Sequence, residues 1–211
     1  MKILVTGVAG FMASHLAEEL RQEGHDIIGV DDLSGGSLRN ISEMQRPYVR
    51  KDSFKFMQGD LRDKKFIAKL PKVDVIYHLA AYAAEGQSVF SPIAINDINI
   101  TSMNNLLVYA VNNGVNRFIF TSSMAVYGEN RPPFSETSGR YPVDPYGAGK
   151  AYCEQMLEIF HKIHRLDYII IRPHNVFGEN QNTGDPFRNV IGIWMNMMLQ
   201  KKRPIIYGDG S

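Results

Sequence analysis

The chain has 211 residues, of which 44% are hydrophobic and 21% charged, and a formal net charge of +1. That is ordinary globular composition, enough for one full domain and part of a second, and the near-neutral charge gives no electrostatic case for nucleic acid or a membrane surface. The single cysteine, Cys153, excludes a disulfide framework, no run is long and apolar enough to span a bilayer, and the N-terminus shows no signal-peptide cleavage region, so a soluble cytoplasmic protein is expected.

Lys2 to Thr6 is a short apolar run ended by Gly7, which predicts a buried parallel strand. An amphipathic helix is expected from Phe11 to Glu23, stopped by Gly24. Strand, glycine turn and helix is the setting of a dinucleotide fingerprint. Gly7 permits the tight turn, Gly10 lets the backbone approach a pyrophosphate seated on the helix N-terminus, and Ala13 stands at the third small position. A second strand from Asp26 to Val30 ends in Asp31-Asp32, and Asp31 follows Gly10 by 21 residues. That is the distance at which an acidic residue bonds an adenosine ribose hydroxyl. A carboxylate there would repel a 2′-phosphate, so NAD is favoured over NADP.

Residues 33–52 are polar and read as a loop with at most a short helix. Phe54 to Gly59 predicts a third strand, followed by Asp60-Leu61-Arg62-Asp63 capping a short helix. A fourth strand, Val73 to Leu79, ends in His78-Leu79-Ala80-Ala81, small residues against which a cofactor could lie. His78 reads as a packed strand residue, with no second His or Cys at metal spacing, and His15 as a structural residue at its helix start. Pro92 to Asn113 predicts one long helix with Asn99 on its polar face, stopped by Gly114. A fifth strand, Arg117 to Thr121, delivers Ser122-Ser123 to the carboxyl edge, where open α/β sheets bind ligands.

After a Gly- and Pro-rich loop, a helix is expected over Pro145 to His164. Tyr146 and Lys150 stand four apart near its start, on one face. A free tyrosine titrates at about 10 and a nearby ammonium favours its phenolate, so Tyr-x-x-x-Lys is one way to build an acid/base for neutral pH. Alone the pattern is weak, because exposed Tyr-Lys pairs on helices are common. Cys153, one turn on, reads as buried rather than reactive. Asp167 to Arg172 predicts a sixth strand. Beyond Pro173 come a polar loop, an apolar helix over Val190 to Gln200 whose methionines read as core filler, and a short strand Ile205-Ile206-Tyr207. The alternation argues an α/β fold: a right-handed, doubly wound parallel sheet of Rossmann type with helices on both faces over residues 1–172, and the start of a smaller substrate lobe over 173–211.

Several motifs agree on a family. Thr6-Gly7-Val8-Ala9-Gly10, Asp60-Leu61, Thr121-Ser122-Ser123 with Tyr127-Gly128, Tyr146-x-x-x-Lys150 and Arg172-Pro173-His174-Asn175 together resemble the extended short-chain dehydrogenase/reductase family. Within it the chain is most similar to nucleotide-sugar epimerases of the UDP-glucose (UDP-galactose) 4-epimerase type. The resemblance implies NAD as cofactor. Gly7, Gly10, Phe11 and Met12 would surround the pyrophosphate. Asp31, with Asp32, Leu33, Ser34 and Gly36, would hold the adenosine ribose, and Asp60-Leu61 the adenine. Leu79, Ala80, Ala81, Asn99 and Ser122 would line the cofactor, Lys150 would hold the nicotinamide ribose, and His174 would neighbour the nicotinamide. Tyr146 would be the acid/base, Ser123 its partner at the sugar hydroxyl, and Asn175, Asn189 and Tyr207 further substrate contacts.

The resemblance also narrows the chemistry. Related 4,6-dehydratases carry an Asp-Glu pair after the serine, and related decarboxylases a Glu. This chain has Met124 and Ala125, which cannot move protons. That argues for inversion at C4 through a 4-keto intermediate. The alternatives are another NAD-linked nucleotide-sugar reductase or epimerase, and a non-catalytic NAD- or nucleotide-sugar-binding module. Family chains normally continue past the Gly-Asp-Gly-Ser found here, into arginines that clamp the diphosphate. A homodimer through the helices near 92–113 and 145–164 is expected, with a UDP-hexose as substrate.

Overall fold

The computed structural model describes residues 1–45, 53–185, 189–206 and 208–209. Six strands form one parallel sheet: β1 (Lys2–Thr6), β2 (Asp26–Asp31), β3 (Phe54–Gln58), β4 (Val75–His78), β5 (Arg117–Thr121) and β6 (Asp167–Ile171). Their order across the sheet is β3-β2-β1-β4-β5-β6, the doubly wound Rossmann arrangement expected. Between them run α1 (Phe11–Gln22), α2 (Lys64–Ile67), α3 (Glu85–Ser88), α4 (Pro92–Asn96), α5 (Ser102–Asn113) and α6 (Pro145–His164), and α7 (Val190–Leu199) follows.

Successive residues of a strand point to opposite faces, and here each face has its own core. Leu4, Ile76 and Phe118 pack with Met103, Leu106, Leu107 and Leu157 from α5 and α6. Ile3, Val5 and Ile27 pack on the other face with Ala13, Ala17 and Leu20 of α1. Strands buried on both faces read as unbroken apolar runs, which is why β1, β2 and β5 are so plain in the sequence.

Helix boundaries follow local chemistry. The Asp144 carboxylate accepts from Gly147 N at 2.8 Å and Pro145 occupies the first turn of α6, while His161, Lys162 and His164 sit at its negative end. Asp63, at the end of the Asp60–Asp63 run expected to cap it, caps α2, accepting from Lys65 N. Gly114 ends α5 at φ +68°.

Three expectations are corrected. The helix over 92–113 is interrupted by a π-helical segment, Asp97–Thr101, at the point where Asn99 turns inward. No strand forms at Ile205 and Ile206, which lie outside the sheet and are exposed; Tyr207, the third residue of the expected strand, lies outside the described residues. The methionines of α7 do not fill a core. Met195 and Met198 are about half exposed; α7 is held by the Asn189 cap at its start and by a bond from Trp194 Nε1, at its middle, to the Ile205 carbonyl.

Gly7 stands at φ +70°, and a Cβ there would meet the Ala80 backbone at 2.9 Å. A side chain is disfavoured both by the left-handed backbone and by the β4 turn. Gly7→Ala is expected to cost on the order of 2 kcal/mol, read as a lower denaturant midpoint at unchanged slope. An unshifted midpoint contradicts it.

Candidate active site at the carboxyl edge of the sheet

All six strands run parallel, so their carboxyl ends share one edge. A cleft of about 1000 Å³ opens there, at the upper end of small-molecule sites. At its centre is the start of α1. Gly10 is the N-cap, supplies no side-chain cap, and the first turn holds no acidic residue. Gly10, Phe11, Met12 and Ala13 line the cleft, so first-turn N–H groups without intrahelical partners open onto it. A pyrophosphate fits such donors, and the absent side chains of Gly7 and Gly10 keep the approach clear.

One flank lies at β2 and β3. Asp31 is buried and accepts from Leu33 N at 2.7 Å and Ala9 N at 3.0 Å. Burial pushes its carboxyl up and the two N–H donors pull it back. Asp32, Ser34, Gly36, Asp60 and Leu61 share this wall. The Arg62 guanidinium grips Asp60 at 2.7–3.1 Å and holds its carboxyl below the usual range. This flank fits a ribose and a base.

The other flank carries the reactive groups. Leu79, Ala80 and Ala81 form its floor, and Ser122, Ser123, Tyr146, Lys150, His174 and Asn175 surround it. Tyr146 and Lys150 are both buried, with Lys150 Nζ 5.7 Å from the tyrosine ring centroid. One Lys150 N–H donates to the Thr121 carbonyl at 2.7 Å, tying α6 to the end of β5. Ser123 caps a short 3₁₀ turn, its Oγ accepting from Ala125 N at 3.2 Å, which leaves the hydroxyl proton to donate into the cleft.

The cleft gathers every described residue expected at it except two. Leu33 turns back at φ 65° to bond Asp31 and does not line the wall. Asn99 is buried behind the wall, with its carboxamide on Tyr82 N at 2.8 Å and Tyr82 O at 3.3 Å, so it shapes the 80–83 turn from outside. Tyr207 lies outside the described residues. Two others line the cleft with their polar groups committed elsewhere. Ser122 Oγ donates to Glu154 Oε1 at 2.6 Å, and the Asn189 carboxamide caps α7 and donates to Val176 O at 2.7 Å.

Sequence reasoning missed Arg39, Asn40, Tyr82, Glu85 and the run Asn180-Gln181-Asn182, all on the cleft. The polar 180–182 run was visible, but only its bonds to α1 and the 38–41 turn place it: Asn180 Nδ2 donates to Ser14 Oγ, and Asn40 Nδ2 to Asn180 O. His15 is the structural residue expected at the helix start: though exposed, its ring lies edge-on to Phe11 at 6.0 Å and its Nε2 meets the Glu179 carbonyl at 3.0 Å. His78 is the packed strand residue expected: 1% exposed, bonded to Thr6 Oγ1 at 2.8 Å, its pKa lowered by burial to about 3 and the ring therefore neutral. Cys153 is buried and burial pushes its thiol up to about 11.

Burial pushes the Lys150 ammonium down from 10.5 to about 8, against the pull of Cys153 and Glu154. Between those values the unfolded chain binds a proton that the folded one has released, so this group makes stability rise with pH through that window. Lys150→Met lacks that rise. Wild type is expected to gain on the variant by up to about 1.4 kcal/mol per pH unit between about pH 8 and 10. Denaturant midpoints at both ends check it, and a constant difference contradicts it.

Residues 3–211 match the model of the NAD dependent epimerase/dehydratase family. The UDP-glucose 4-epimerase of Mycolicibacterium smegmatis is 36% identical over 219 residues, spanning all of this chain and 67% of that protein. A UDP-glucose 4-epimerase structure from Thermotoga maritima, solved with UDP-glucose, superposes at TM-score 0.89 with 33% identity, covering 100% of this chain and 67% of the other. DesIV, a dTDP-glucose 4,6-dehydratase from Streptomyces venezuelae solved with NAD and TYD bound, superposes at 0.89 with 30% identity, covering 100% and 66%. This chain thus spans about two thirds of the length of these relatives. With match, fold and strand-edge cleft in agreement, the chain belongs to the NAD dependent epimerase/dehydratase family.

Proposed function

We propose that the protein is an NAD-dependent epimerase that inverts C4 of a nucleotide-diphosphate hexose, of the UDP-glucose/UDP-galactose type. The observation that carries the reading is Tyr146 and Lys150 buried side by side on the cleft that also receives the α1 N-terminus and Ser123. One cleft thus holds an acid/base pair, a phosphate seat and a hydroxyl donor.

NAD, when bound, supplies the acceptor and donor of the C4 hydride. Gly7, Gly10 and the α1 N–H groups would hold its pyrophosphate, Asp31 its adenosine ribose, and Lys150 its second ribose. The Asp31 carboxylate disfavours the extra phosphate of NADP. The chain's own chemistry is proton transfer. Tyr146 removes the O4 proton as the C4–H bond breaks and returns it once the keto sugar has presented its other face. Lys150, a cation 5.7 Å from the ring, favours the phenolate, and the Ser123 hydroxyl orients O4. Asn175 would contact the sugar nucleotide.

A 4,6-dehydration needs a further base at C5 and a further acid at the hydroxyl leaving C6. Met124 and Ala125, after the serine, offer neither and do not line the cleft. This favours epimerisation over the dehydratase chemistry of the DesIV relative. A cytoplasmic location is part of the proposal, and a buried free thiol fits it.

A homodimer is also part of it. Val108 of α5 and Ile159 and Ile163 of α6 are 52%, 38% and 67% exposed, an apolar stripe on two neighbouring helices. Ile163→Glu is expected to shift the sedimenting species toward monomer; a wild-type monomer at all concentrations refutes the dimer.

With NAD present, the protein is expected to interconvert UDP-glucose and UDP-galactose, and Tyr146→Phe to lower kcat by about 100-fold or more with the fold unchanged by circular dichroism. Product analysis reads both. Turnover that survives the phenylalanine would remove Tyr146 from the chemistry.

A further inference from the structure

The phosphate seat at the start of α1 has a second wall that the mechanism above does not use. After β6 the chain returns across α1, and Asn180, Gln181 and Asn182 line the cleft together with Gly10 and Phe11. Several contacts tie this 178–182 segment down. Gly178 lies against the Phe11 ring, where a Cβ would meet ring carbons at 3.3 Å. His15 Nε2 donates to the Glu179 carbonyl at 3.0 Å, and Asn180 Nδ2 donates to Ser14 Oγ at 3.2 Å. Asn40 Nδ2 donates to the Asn180 carbonyl at 3.4 Å and to the Ala9 carbonyl, inside the glycine turn, at 2.9 Å.

Glycine turn, 38–41 turn and 178–182 strap thus form a continuous belt around the first-turn N–H groups of α1. A dinucleotide lying along the strand edge passes beneath this belt. Its pyrophosphate would have α1 on one side and a row of neutral carboxamides on the other. Carboxamides bring N–H donors and no negative charge to repel a diphosphate. A strap that displaces water also strengthens the bonds between the diphosphate and those donors. The strap itself is held by few bonds, all neutral, and Glu179, Asn180 and His15 are exposed. A segment held so lightly opens locally while the sheet stays intact.

We propose that the 178–182 strap is the outer wall of the NAD site and that His15 is the positioning residue that keeps it closed. His15 does not line the cleft, so it acts on the cofactor only through the Glu179 carbonyl. Loss of its bond raises the open fraction of the empty and the loaded chain by the same factor. Entry and exit then speed up together and affinity is kept. Asn180 differs because it is both tie and wall. It stands at φ +67°, so glycine replaces it without backbone strain and removes its donor from the pyrophosphate. This rests on the NAD reading above and is independent of the C4 chemistry.

The test uses NADH as the probe, its fluorescence followed by stopped flow. Mixing gives the association rate, and a chase with excess NAD gives the dissociation rate. His15→Ala, an exposed substitution that leaves the core intact, is expected to raise both rates about 5-fold, the factor of one neutral hydrogen bond, and to leave Kd within about 2-fold. His15→Gln keeps an N–H donor and is expected to return both rates toward wild type. Asn180→Gly is expected to raise dissociation more than association, weakening NADH about 5-fold. Unchanged rates in His15→Ala overturn the proposal, as does lost affinity with the association rate unmoved, or rates that stay high in His15→Gln. Equal rises in Asn180→Gly overturn the wall. Wild-type chain that binds no NADH overturns the strap and the NAD reading together. The expected pattern in a chain without epimerisation supports the strap while the C4 reading falls, and epimerisation with unmoved rates does the reverse.

Discussion

The site depends on one buried cation. Lys150 is 3% exposed, lies over the Phe120 ring at 4.8 Å, and touches the end of β5 through the Thr121 carbonyl. An ammonium leaves water only where geometry compensates it, and here a strand-end carbonyl and an aromatic face do so. That contact fixes the rotation of α6 about its axis. Tyr146, one turn earlier on the same face, is thereby aimed at the strand edge.

A second buried charge fixes the same helix from its next turn. Glu154 is fully buried and meets Arg172 Nη2 at 2.7 Å, Arg172 Nε at 2.9 Å, Arg140 at 3.4 Å and the Ser122 hydroxyl. Arg172 directly follows β6, and its guanidinium lies 4.9 Å over the Tyr127 ring. Helix, two strand ends and the 127–141 loop are thus joined at one carboxylate. A buried pair of this kind adds little net stability, but losing one partner leaves an uncompensated charge. Its effect is positional: it fixes where Ser123 and His174, each the next or second residue along, meet the cleft.

How much of this was readable from the chain depended on the range of the forces involved. The limits of α6 were legible because its cap, its first-turn proline and its basic last turn are local. The doubly wound parallel sheet followed from the alternation of apolar strands with helices and the handedness of crossovers. Asp31 was legible from its spacing after Gly10, and Tyr146 and Lys150 from their spacing together with the family resemblance of the motifs around them. Long-range effects were not. Asn99 reads as a polar-face residue until the π-helical segment turns it toward Tyr82, and Ser122 reads as a cleft hydroxyl until Glu154, thirty-two residues later, accepts its hydrogen bond. Apolar composition equally misled on α7, since a methionine-rich helix is core only where something packs on both its sides.

The strand order also sorts the chemistry along the cleft. Across the sheet the sequence is β3-β2-β1-β4-β5-β6, and the groups at the strand ends follow it: Asp60, Asp31, Gly7 with the α1 N-terminus, Ala80, then Thr121 to Ser123. A dinucleotide lying along that edge would meet hydroxyl acceptors first, phosphate donors at the middle, and a flat small-residue floor beside the phenol last. No single residue imposes this order. It follows from β1 being first in sequence but central in space, which puts the α1 N-terminus, fitted to a diphosphate, between the acidic flank and the acid/base flank. A fold that placed β1 at an edge would carry the same residues and leave the phosphate seat outside both.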